Sequence, residues 1–179
     1  MTRLFTLSVD LLGSETKTKD VLKGLNQSLL RNLNYKFFLF GCEKNIKKEI
    51  KRYKRLQQVS EIINCDTYIS MNDKPSEIIK TKDSSSMSLA INSVKEKKSD
   101  AVLSFGNTGA LMSLSLINIR TLNGIKRPAI ASIWPNIKGE SVVLDLGANT
   151  KFDSRYLVDN SLLGASLASI LFKIDSPSI

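Results

Sequence analysis

Apolar and polar positions along this chain follow two patterns, short continuous apolar runs and longer stretches with an apolar residue every three or four positions. The short runs are rich in Val, Ile, Leu and Phe, which is typical of strands buried on both faces. The longer stretches have the spacing of amphipathic helices. Strands are predicted over Leu4–Val9, Tyr35–Phe40, Gln58–Ile63, Ala101–Phe105, Ala129–Ile133 and Val142–Leu146. Helices are predicted over Lys17–Leu33, Glu43–Arg55, Ser85–Lys97, Thr108–Ile119 and Ser154–Ile174.

This order of elements predicts an α/β fold. Buried strands that alternate with amphipathic helices form a mainly parallel sheet with helices on both faces, a three-layer α/β/α sandwich. No repeat or low-complexity linker divides residues 1–179, so we expect a single domain. After the last helix, Asp175–Pro177 form a turn that no further strand follows, so we expect the chain to be truncated, the N-terminal portion of a longer fold.

The composition is ordinary for a globular protein. The 179 residues are 42% hydrophobic and 24% charged. The longest uncharged apolar stretch, Asn160–Phe172, has 13 residues, fewer than the roughly 20 that a membrane-spanning helix needs. No small-residue cleavage site follows the first apolar run, so no signal peptide is predicted. We therefore expect a cytoplasmic protein.

Histidine is absent, which removes several kinds of chemistry. Neither a Ser-His-Asp triad nor a Cys-His pair can be built without it. The two cysteines, Cys42 and Cys65, cannot complete the four ligands of a zinc site, so no metal is expected. Any catalysis must use Lys, Arg, Asp, Glu, hydroxyls, amides and backbone dipoles.

The formal net charge of +9 is concentrated in one segment. Residues 43–55, EKNIKKEIKRYKR, contain seven basic and two acidic residues, and Ile46, Ile50 and Tyr53 share one helical stripe. One interpretation is a surface helix with a solvated charged face. The other is a docking patch for an acidic protein, a nucleic acid or an anionic lipid. No zinc-finger spacing or aromatic ribonucleoprotein motif accompanies the segment, which weakens the nucleic-acid interpretation.

The sequence GNTGA, residues 106–110, lies where the fourth predicted strand gives way to a helix. Gly106 permits a sharp turn or a close approach to a ligand, and Asn107 or Thr108 can cap the first helical turn. The N–H groups of a helix start, together with the helix dipole, favour an anion. Because the sequence matches neither G-x-x-x-x-G-K-[ST] nor G-x-G-x-x-G, a capped structural turn and an anion cradle both stay open.

Carboxylates and an amide also follow predicted strands, at the edge where parallel α/β sheets bind their ligands. Asp10 follows the first strand, and Asp145 lies near the end of the sixth, just before Gly147 and Asn149. A carboxylate in such a place is paired or hydrogen-bonded, because burying it alone is costly. It therefore either holds neighbouring loop amides or faces the same crevice as GNTGA.

Two cations belong to the same edge of the predicted sheet. Arg127 precedes Pro128, which keeps the chain extended as it enters the fifth strand. Lys80 follows Pro75 and Ser76 in the stretch DKPSEIIKTKDSSSM. A guanidinium fork suits phosphate or carboxylate, although an isolated arginine is more often a surface charge.

These motifs together closely resemble those of the bacterial phosphate acyltransferases of phospholipid synthesis. K-P-S, a serine run with Met, GNTGALM, RPA and LDLGAN occur in the family's order and at similar intervals, over essentially the whole chain. The resemblance implies an α/β/α sandwich similar to isopropylmalate dehydrogenase and phosphotransacetylase, usually as a homodimer. It also implies transfer of a fatty acyl group from acyl carrier protein to inorganic phosphate, giving acyl phosphate for a membrane acyltransferase.

The resemblance implies roles for particular residues and partners. It indicates no cofactor and no nucleic-acid partner, and a location in the cytoplasm or at the periphery of the membrane. Acyl carrier protein is acidic, which gives the basic segment 43–55 a partner. Catalytic roles fall on Asn107, Arg127 and Lys80. Substrate-binding roles fall on Asp10, Gly13, Ser85, Ser86, Gly106, Thr108, Gly109, Asp145, Gly147 and Asn149.

The chain departs from that family in one loop and in length. Where the family has a D-x-M-G-G-D motif, residues 10–15 read DLLGSE, so Ser14 replaces a glycine. The part that would match the family's second half is absent. Two alternatives therefore stay open, a truncated inactive homologue that retains phosphate binding and a basic α/β module that binds nucleic acid or an acidic protein.

Overall fold

The computed structural model describes residues 4–31, 34–74, 78 and 84–179. Its internal contacts group into two compact units, Met1–Arg120 and Thr121–Ile179. The single domain expected over residues 1–179 stays a prediction.

The first unit is built on a parallel sheet of four strands. These are β1 (Phe5–Asp10), β2 (Tyr35–Gly41), β3 (Ser60–Asn64) and β4 (Ala101–Ser104). They lie in the order β3-β2-β1-β4, and every pair of neighbours is parallel. The first four predicted strands are therefore confirmed, with their ends shifted by one or two residues. In this register Asp10 lies beside Phe40 of β2 and Ser104 of β4, so the carboxyl ends of three strands meet.

Helices cover both faces of this sheet. They are α1 (Thr18–Leu29), α2 (Glu43–Ile50), α3 (Lys54–Gln58), α4 (Ser86–Lys95) and α5 (Thr108–Asn118). One buried cluster joins α1, α2 and α3 to one side of the sheet, and two further clusters join α4 and α5 to the other. The predicted α/β/α layering, with a mainly parallel sheet, is confirmed.

Alternation along the strands explains this layering. Val9, Phe37 and Leu39 are completely buried in the cluster with α1, α2 and α3. Their neighbours Phe38 and Phe40 point to the opposite face and pack in the cluster that contains Ala90 of α4. Successive side chains of a strand point to opposite faces, so continuous apolar runs are needed where both faces carry helices.

The segment predicted as one helix over Glu43–Arg55 is two helices, α2 and α3, with a turn between them. Ile46 and Ile50 are buried as predicted, and Tyr53 has non-helical dihedrals at the start of α3. In an uninterrupted helix Leu56 would lie about 80° from the stripe of Ile46 and Ile50. The turn brings Leu56 into the same core, where its side chain is completely buried.

The second unit contains an antiparallel hairpin and a long helix. Its strands are β5 (Ser132–Asn136) and β6 (Gly139–Val143), and its helix is α6 (Ser154–Phe172). The expectation that the runs Ala129–Ile133 and Val142–Leu146 belong to the parallel sheet is wrong. Only two residues join β5 to β6, whereas a parallel connection needs a crossover of a dozen or more.

The final helix, α6, agrees closely with its predicted range. Asp153 caps its start by accepting a hydrogen bond from the Tyr156 N–H at 2.7 Å. Leu157, Val158 and Leu162 on this helix are each more than half exposed within the chain. Across the described ranges, none of the helices combines the length and apolar content needed to span a bilayer.

A substitution at Gly13 tests how closely the loop after β1 packs against Ile69. Its φ is +71°, and a Cβ placed on it would lie 1.9 Å from the carbonyl oxygen of Ile69. We therefore expect Gly13→Ala to lower the free energy of unfolding by about 2 kcal/mol or more, because both strain and overlap must be relieved. The measurement is denaturant unfolding followed by circular dichroism.

The matched control for this variant is Gly24→Ala in α1. A Cβ there meets nothing within 4 Å, so alanine should raise the helix stability by up to about 1 kcal/mol. Equal effects of the two substitutions would contradict the close contact between the Gly13 loop and Ile69.

Candidate functional site

The carboxylate of Asp10 is the centre of the candidate site in the first unit. It ends β1 and is 2% exposed. Ser86 Oγ donates to Asp10 Oδ1 at 2.6 Å, and Ser104 Oγ donates to Asp10 Oδ2 at 2.8 Å. The Leu12 N–H donates to Oδ1 at 3.3 Å. Asp10 thereby joins the end of β1 to the end of β4 and to the start of α4.

Burial raises the pKa of Asp10 above its ordinary value, because desolvation disfavours the charged form. The hydrogen bonds from Ser86, Ser104 and Leu12 act in the opposite direction and stabilise the ionised form. No cation is among these partners, so the carboxylate is held by hydroxyl and amide dipoles. Its donors point inward to the carboxylate, which makes Asp10 an organiser of the surrounding loops.

The start of α4 carries the two predicted serines. Ser85 is the N-cap and accepts a hydrogen bond from the Ser88 N–H at 3.2 Å. Ser86 is the first residue of α4, and its N–H donates to the Thr67 carbonyl at 3.0 Å while its hydroxyl donates to Asp10. Both side chains are buried. Their observed contacts therefore lie within the protein.

Asn107 caps α5 and also holds a loop. Its Oδ1 accepts from the Ala110 N–H at 3.0 Å, as the cap prediction expected. Its Nδ2 donates to the carbonyl oxygens of Ser70, Met71 and Asp73 at 3.2, 3.0 and 3.0 Å. The whole amide is thus engaged, and it fixes the loop after β3 against the start of α5.

The GNTGA turn has the geometry of a helix start at the end of a parallel strand. The N–H of Gly106 donates to Ser104 Oγ at 3.1 Å. A Cβ on Gly106 would lie 3.2 Å from Met87 Cε and 3.3 Å from Ser104 Oγ, so glycine allows this close packing. Thr108 and Gly109 are the first two residues of α5, and N–H groups in such positions have no acceptor within their own helix. Among the described residues neither N–H donates to another acceptor, so both can bind an anion.

An open pocket of about 510 Å³ lies in the first unit, between the loops that follow β1 and β3. Its walls are residues 11–18, after β1, and four residues after β3, namely Tyr68, Ser70, Met71 and Asn72. Lys17 and Tyr68 are among its lining residues, and so are Gly13 and Ser70. Because Asn107 binds the Ser70 and Met71 carbonyls, the start of α5 and one wall of the pocket form a connected structure.

The second unit has a carboxylate centre of its own at Asp145. Its Oδ1 accepts from the N–H groups of Ile130 and Ala148 at 3.0 and 3.1 Å. Its Oδ2 accepts from the Asn149 N–H at 2.9 Å, from Asn149 Nδ2 at 2.8 Å and from the Tyr156 hydroxyl at 2.8 Å. The loop that carries LDLGAN is thus wrapped around the carboxylate.

Two titrating groups meet in this centre. Desolvation alone would raise the pKa of Asp145, but the hydrogen bonds from Asn149, Ile130, Tyr156 and Ala148 outweigh it and lower the pKa to about 2. Burial raises the pKa of Tyr156, and the Asp145 charge raises it further. Asp145 is therefore an ionised acceptor and Tyr156 a neutral donor near neutral pH.

The Nδ2 group of Asn149, like that of Asn107, faces three acceptors. Besides Asp145, its Nδ2 lies 3.1 Å from the Pro128 carbonyl and 2.7 Å from the Tyr156 hydroxyl. Gly147 lies in the same loop and is exposed. The structure gathers Asp145, Gly147 and Asn149 around one centre, while Asp10, Gly13, the two serines and the GNTGA residues gather in the first unit.

The predicted cations are placed differently. Arg127 is exposed, and within the described residues it forms no ion pair or hydrogen bond with a side chain. Lys80 lies outside the described residues, as do Pro75 and Ser76. The described parts of the two centres therefore use hydroxyls, amides and backbone N–H groups.

Sequence reasoning missed two contributors to these centres. Ser104 stands two residues before Gly106 and donates to Asp10. The sequence signal that could have indicated it is a hydroxyl residue at the end of an apolar strand. Tyr156 lies on α6 and reaches back to Asp145. No spacing rule links a tyrosine in a helix to a carboxylate eleven residues earlier across a loop, so only the fold could reveal it.

The fold and the first centre define the class of this protein. It is an α/β sandwich with a polar, amide-lined site at the carboxyl ends of parallel strands, where such folds bind anionic ligands. The family model described as "Fatty acid synthesis protein" matches residues 5–179. The chain belongs to this family of fatty acid synthesis proteins.

Curated relatives carry the name phosphate acyltransferase. The chain is 39% identical to the phosphate acyltransferase of Xanthobacter autotrophicus over 100% of its own length and 51% of the relative's. It is 41% identical to that of Rhodopseudomonas palustris, over 100% of this chain and 52% of the relative. It is 39% identical to that of Sinorhizobium fredii, over 97% and 50%. The chain spans about half the length of the curated relatives it matches.

Asn107 can be distinguished from an ordinary helix cap by substitution with aspartate. Aspartate caps as well as asparagine does, so an ordinary cap would tolerate the change. Here a carboxylate oxygen would face the three carbonyls that Nδ2 now binds. We expect Asn107→Asp to lower the free energy of unfolding by about 2–3 kcal/mol, measured by urea unfolding.

Asp153→Asn serves as the control, since Asp153 accepts from the Tyr156 N–H and asparagine retains that acceptor. Its effect should be a few tenths of a kcal/mol. If Asn107→Asp lowered the free energy of unfolding equally little, the three carbonyl contacts would not contribute to stability.

Asp145 should make the folded chain more stable above pH 4 than near pH 2. The pKa of this carboxyl is lowered from 3.8 to about 2 on folding, so the unfolded chain binds the proton first as the pH falls. The resulting stabilisation, about 2 kcal/mol, is complete above the unfolded pKa and is lost as the pH falls through the folded one. Unfolding titrations between pH 5 and pH 2 measure it.

The comparison variant for this pH dependence is Asp145→Asn. It cannot titrate, so the slope of stability against pH in the same range should decrease. An unchanged slope would show that Asp145 does not gain its hydrogen bonds on folding.

Proposed function

We propose that this chain is part of a phosphate acyltransferase that transfers a fatty acyl group from acyl carrier protein to inorganic phosphate. The observation that carries the proposal is the start of α5, where a helix capped by Asn107 stands at the carboxyl end of β4 and its first N–H groups have no acceptor within the helix. The matching relatives named phosphate acyltransferase support the same reaction.

The reaction fits a chain without histidine. Phosphate is already an anionic oxygen nucleophile and a thioester is already an activated acyl donor, so no side chain need generate the nucleophile. A phosphate oxygen attacks the thioester carbonyl and forms a tetrahedral oxyanion. The C–S bond then breaks, acyl phosphate forms, and the thiolate leaves and takes a proton from solvent. The protein has to position phosphate and stabilise the oxyanion.

The residues divide into those that bind and those that position. The N–H groups of Thr108 and Gly109 are proposed to bind phosphate or the developing oxyanion, assisted by the dipole of α5. Asn107 is a positioning residue, because its Nδ2 is engaged by three carbonyls and its Oδ1 caps the helix. Asp10 positions α4 and the end of β4 through its two hydroxyl donors.

Arg127 and Lys80 enter the proposal from the sequence resemblance. Arg127 is exposed and carries a guanidinium fork that matches two phosphate oxygens. From the same resemblance we propose a homodimer and a location at the membrane periphery. We also propose that a membrane acyltransferase uses the acyl phosphate.

Arg127→Ala tests the proposed reaction. We expect kcat/KM for acyl phosphate formation to fall by about 100-fold, because the resemblance gives Arg127 a catalytic role and its charged guanidinium is lost. Arg127→Lys should retain part of the activity. The assay follows radiolabelled inorganic phosphate into an acyl phosphate that organic solvent extracts, with acylated carrier protein as donor.

Arg155→Ala is the matched control, since Arg155 is also an exposed arginine of the second unit. It should retain full activity. Equal activity of the Arg127 and Arg155 variants would remove Arg127 from the site, and no phosphate-dependent product from the unmodified chain would contradict the proposed function.

A further inference from the structure

The cations of the first unit are concentrated in one helical layer. We call residues 17–31 and 43–58, which contain α1, α2 and α3, the basic layer. It contains eleven basic and three acidic residues, a balance of +8 against +9 for the whole chain. All eleven basic side chains are exposed. They are Lys17, Lys19, Lys23, Arg31, Lys44, Lys47, Lys48, Lys51, Arg52, Lys54 and Arg55.

A cationic stripe lies on the outer side of α2. Lys44, Lys48 and Lys51 are spaced at i, i+4 and i+7, so they follow one another along one helical face. Ile46 and Ile50 occupy the opposite side and are 1% and 2% exposed. Burial of this apolar stripe in the core fixes which side of α2 faces outward.

Few of these cations form an ion pair with another described residue. Glu43 pairs with Lys47, and Glu49 pairs with Arg52 at 3.7 Å. Among the described residues no ion pair involves Lys44, Lys48 or Lys51. Like charges at i and i+4 destabilise a helix, so this stripe does not serve the stability of α2.

The layer offers charge with little exposed apolar surface. Within the described α1, α2 and α3 no large hydrophobic side chain is exposed, and Leu30 stands just beyond α1. A surface that holds single-stranded nucleic acid normally adds aromatic side chains on which bases stack. An amphipathic helix that lies in a membrane inserts apolar side chains. The apolar sides of these helices are instead used by the core.

The stripe begins at the edge of the sheet that carries the candidate site. β2 ends at Gly41 and α2 starts at Glu43, whose N–H donates to Asn64 Oδ1 at the end of β3 at 2.9 Å. Asp10 lies beside Phe40, in the same register one strand away. A partner bound along Lys44, Lys48 and Lys51 would thus reach the carboxyl ends of the strands.

We infer that the basic layer docks an acidic protein surface, with the stripe of α2 facing a row of carboxylates. This inference rests on the proposed function, in which the acyl donor is carried by an acidic protein. Charge complementarity of this kind speeds encounter and weakens as salt screens it, with a Debye length of about 10 Å at 0.1 M salt.

The test is the binding of acyl carrier protein, without an acyl chain, to the full chain and to a triple variant. In the variant, Lys44→Glu, Lys48→Glu and Lys51→Glu reverse the stripe and leave the two ion pairs intact. Fluorescence anisotropy of labelled carrier protein should show that the triple variant binds at least about tenfold more weakly than the unmodified chain at low salt. At 0.5 M salt the two affinities should differ little. Thermal unfolding verifies that the variant folds, and Gln at the same three positions gives an intermediate case.

The matched control reverses three exposed lysines outside the layer, Lys95→Glu, Lys138→Glu and Lys151→Glu. It changes the net charge equally and should retain binding. Equal loss in both triple variants, or none in the stripe variant, would overturn the inference. So would tighter stripe-dependent binding to duplex DNA or to phosphatidylglycerol vesicles than to the carrier protein. Because binding is measured without turnover, carrier binding without acyl phosphate formation would contradict the proposed function alone.

Discussion

A buried carboxylate is the constraint on which the first unit depends. Asp10 cannot stay in a low-dielectric interior without partners, since an unpaired buried charge is strongly unfavourable. Its partners come from β4 and α4, which are distant in sequence from β1. The carboxylate therefore joins three elements at one edge of the sheet, and the position of the GNTGA turn follows from that junction.

An amide side chain and a glycine hold the loops beside this junction. Asn107 fixes the loop after β3 to the start of α5, and the loop after β1 passes so close to Ile69 that only glycine fits at residue 13. The two loops form the walls of an open pocket, and Asn107 binds the carbonyls of two of its lining residues, Ser70 and Met71. The backbone N–H groups proposed to bind an anion are thus held by side chains that are themselves fully hydrogen-bonded. Such preorganisation costs no rearrangement when charge develops.

Among the described residues, no cation contacts the carboxylate of Asp10 or Asp145. The described side chains at the two carboxylate centres are serines, asparagines, a tyrosine and aspartates, while eleven of the 26 basic residues lie in the basic layer. Neutral dipoles of this kind can orient the anionic nucleophile of the proposed reaction. A separate cationic surface suits capture of an acidic carrier. This division connects membership of a fatty acid synthesis family with a chain of high basic charge.

The sequence by itself determined the parallel sheet, its covering helices and the family. Continuous apolar runs and helical spacing are local signals, and the spacing of GNTGA, RPA and LDLGAN is specific. It also indicated the cap at Asn107 and the polar residues at strand ends. The prediction that β5 and β6 belong to the parallel sheet was wrong, because short apolar runs do not distinguish a parallel strand from a hairpin strand.

Only the tertiary structure decided what the polar residues hold. The triple carbonyl contact of Asn107, the Ser104 bond to Asp10 and the Tyr156 bond to Asp145 join residues whose separation follows no local period. The break between α2 and α3 likewise arises because Leu56 must enter the core that Ile46 and Ile50 share. Hydrogen-bond partners and core contacts depend on how elements pack, and this information is absent from any short window of sequence.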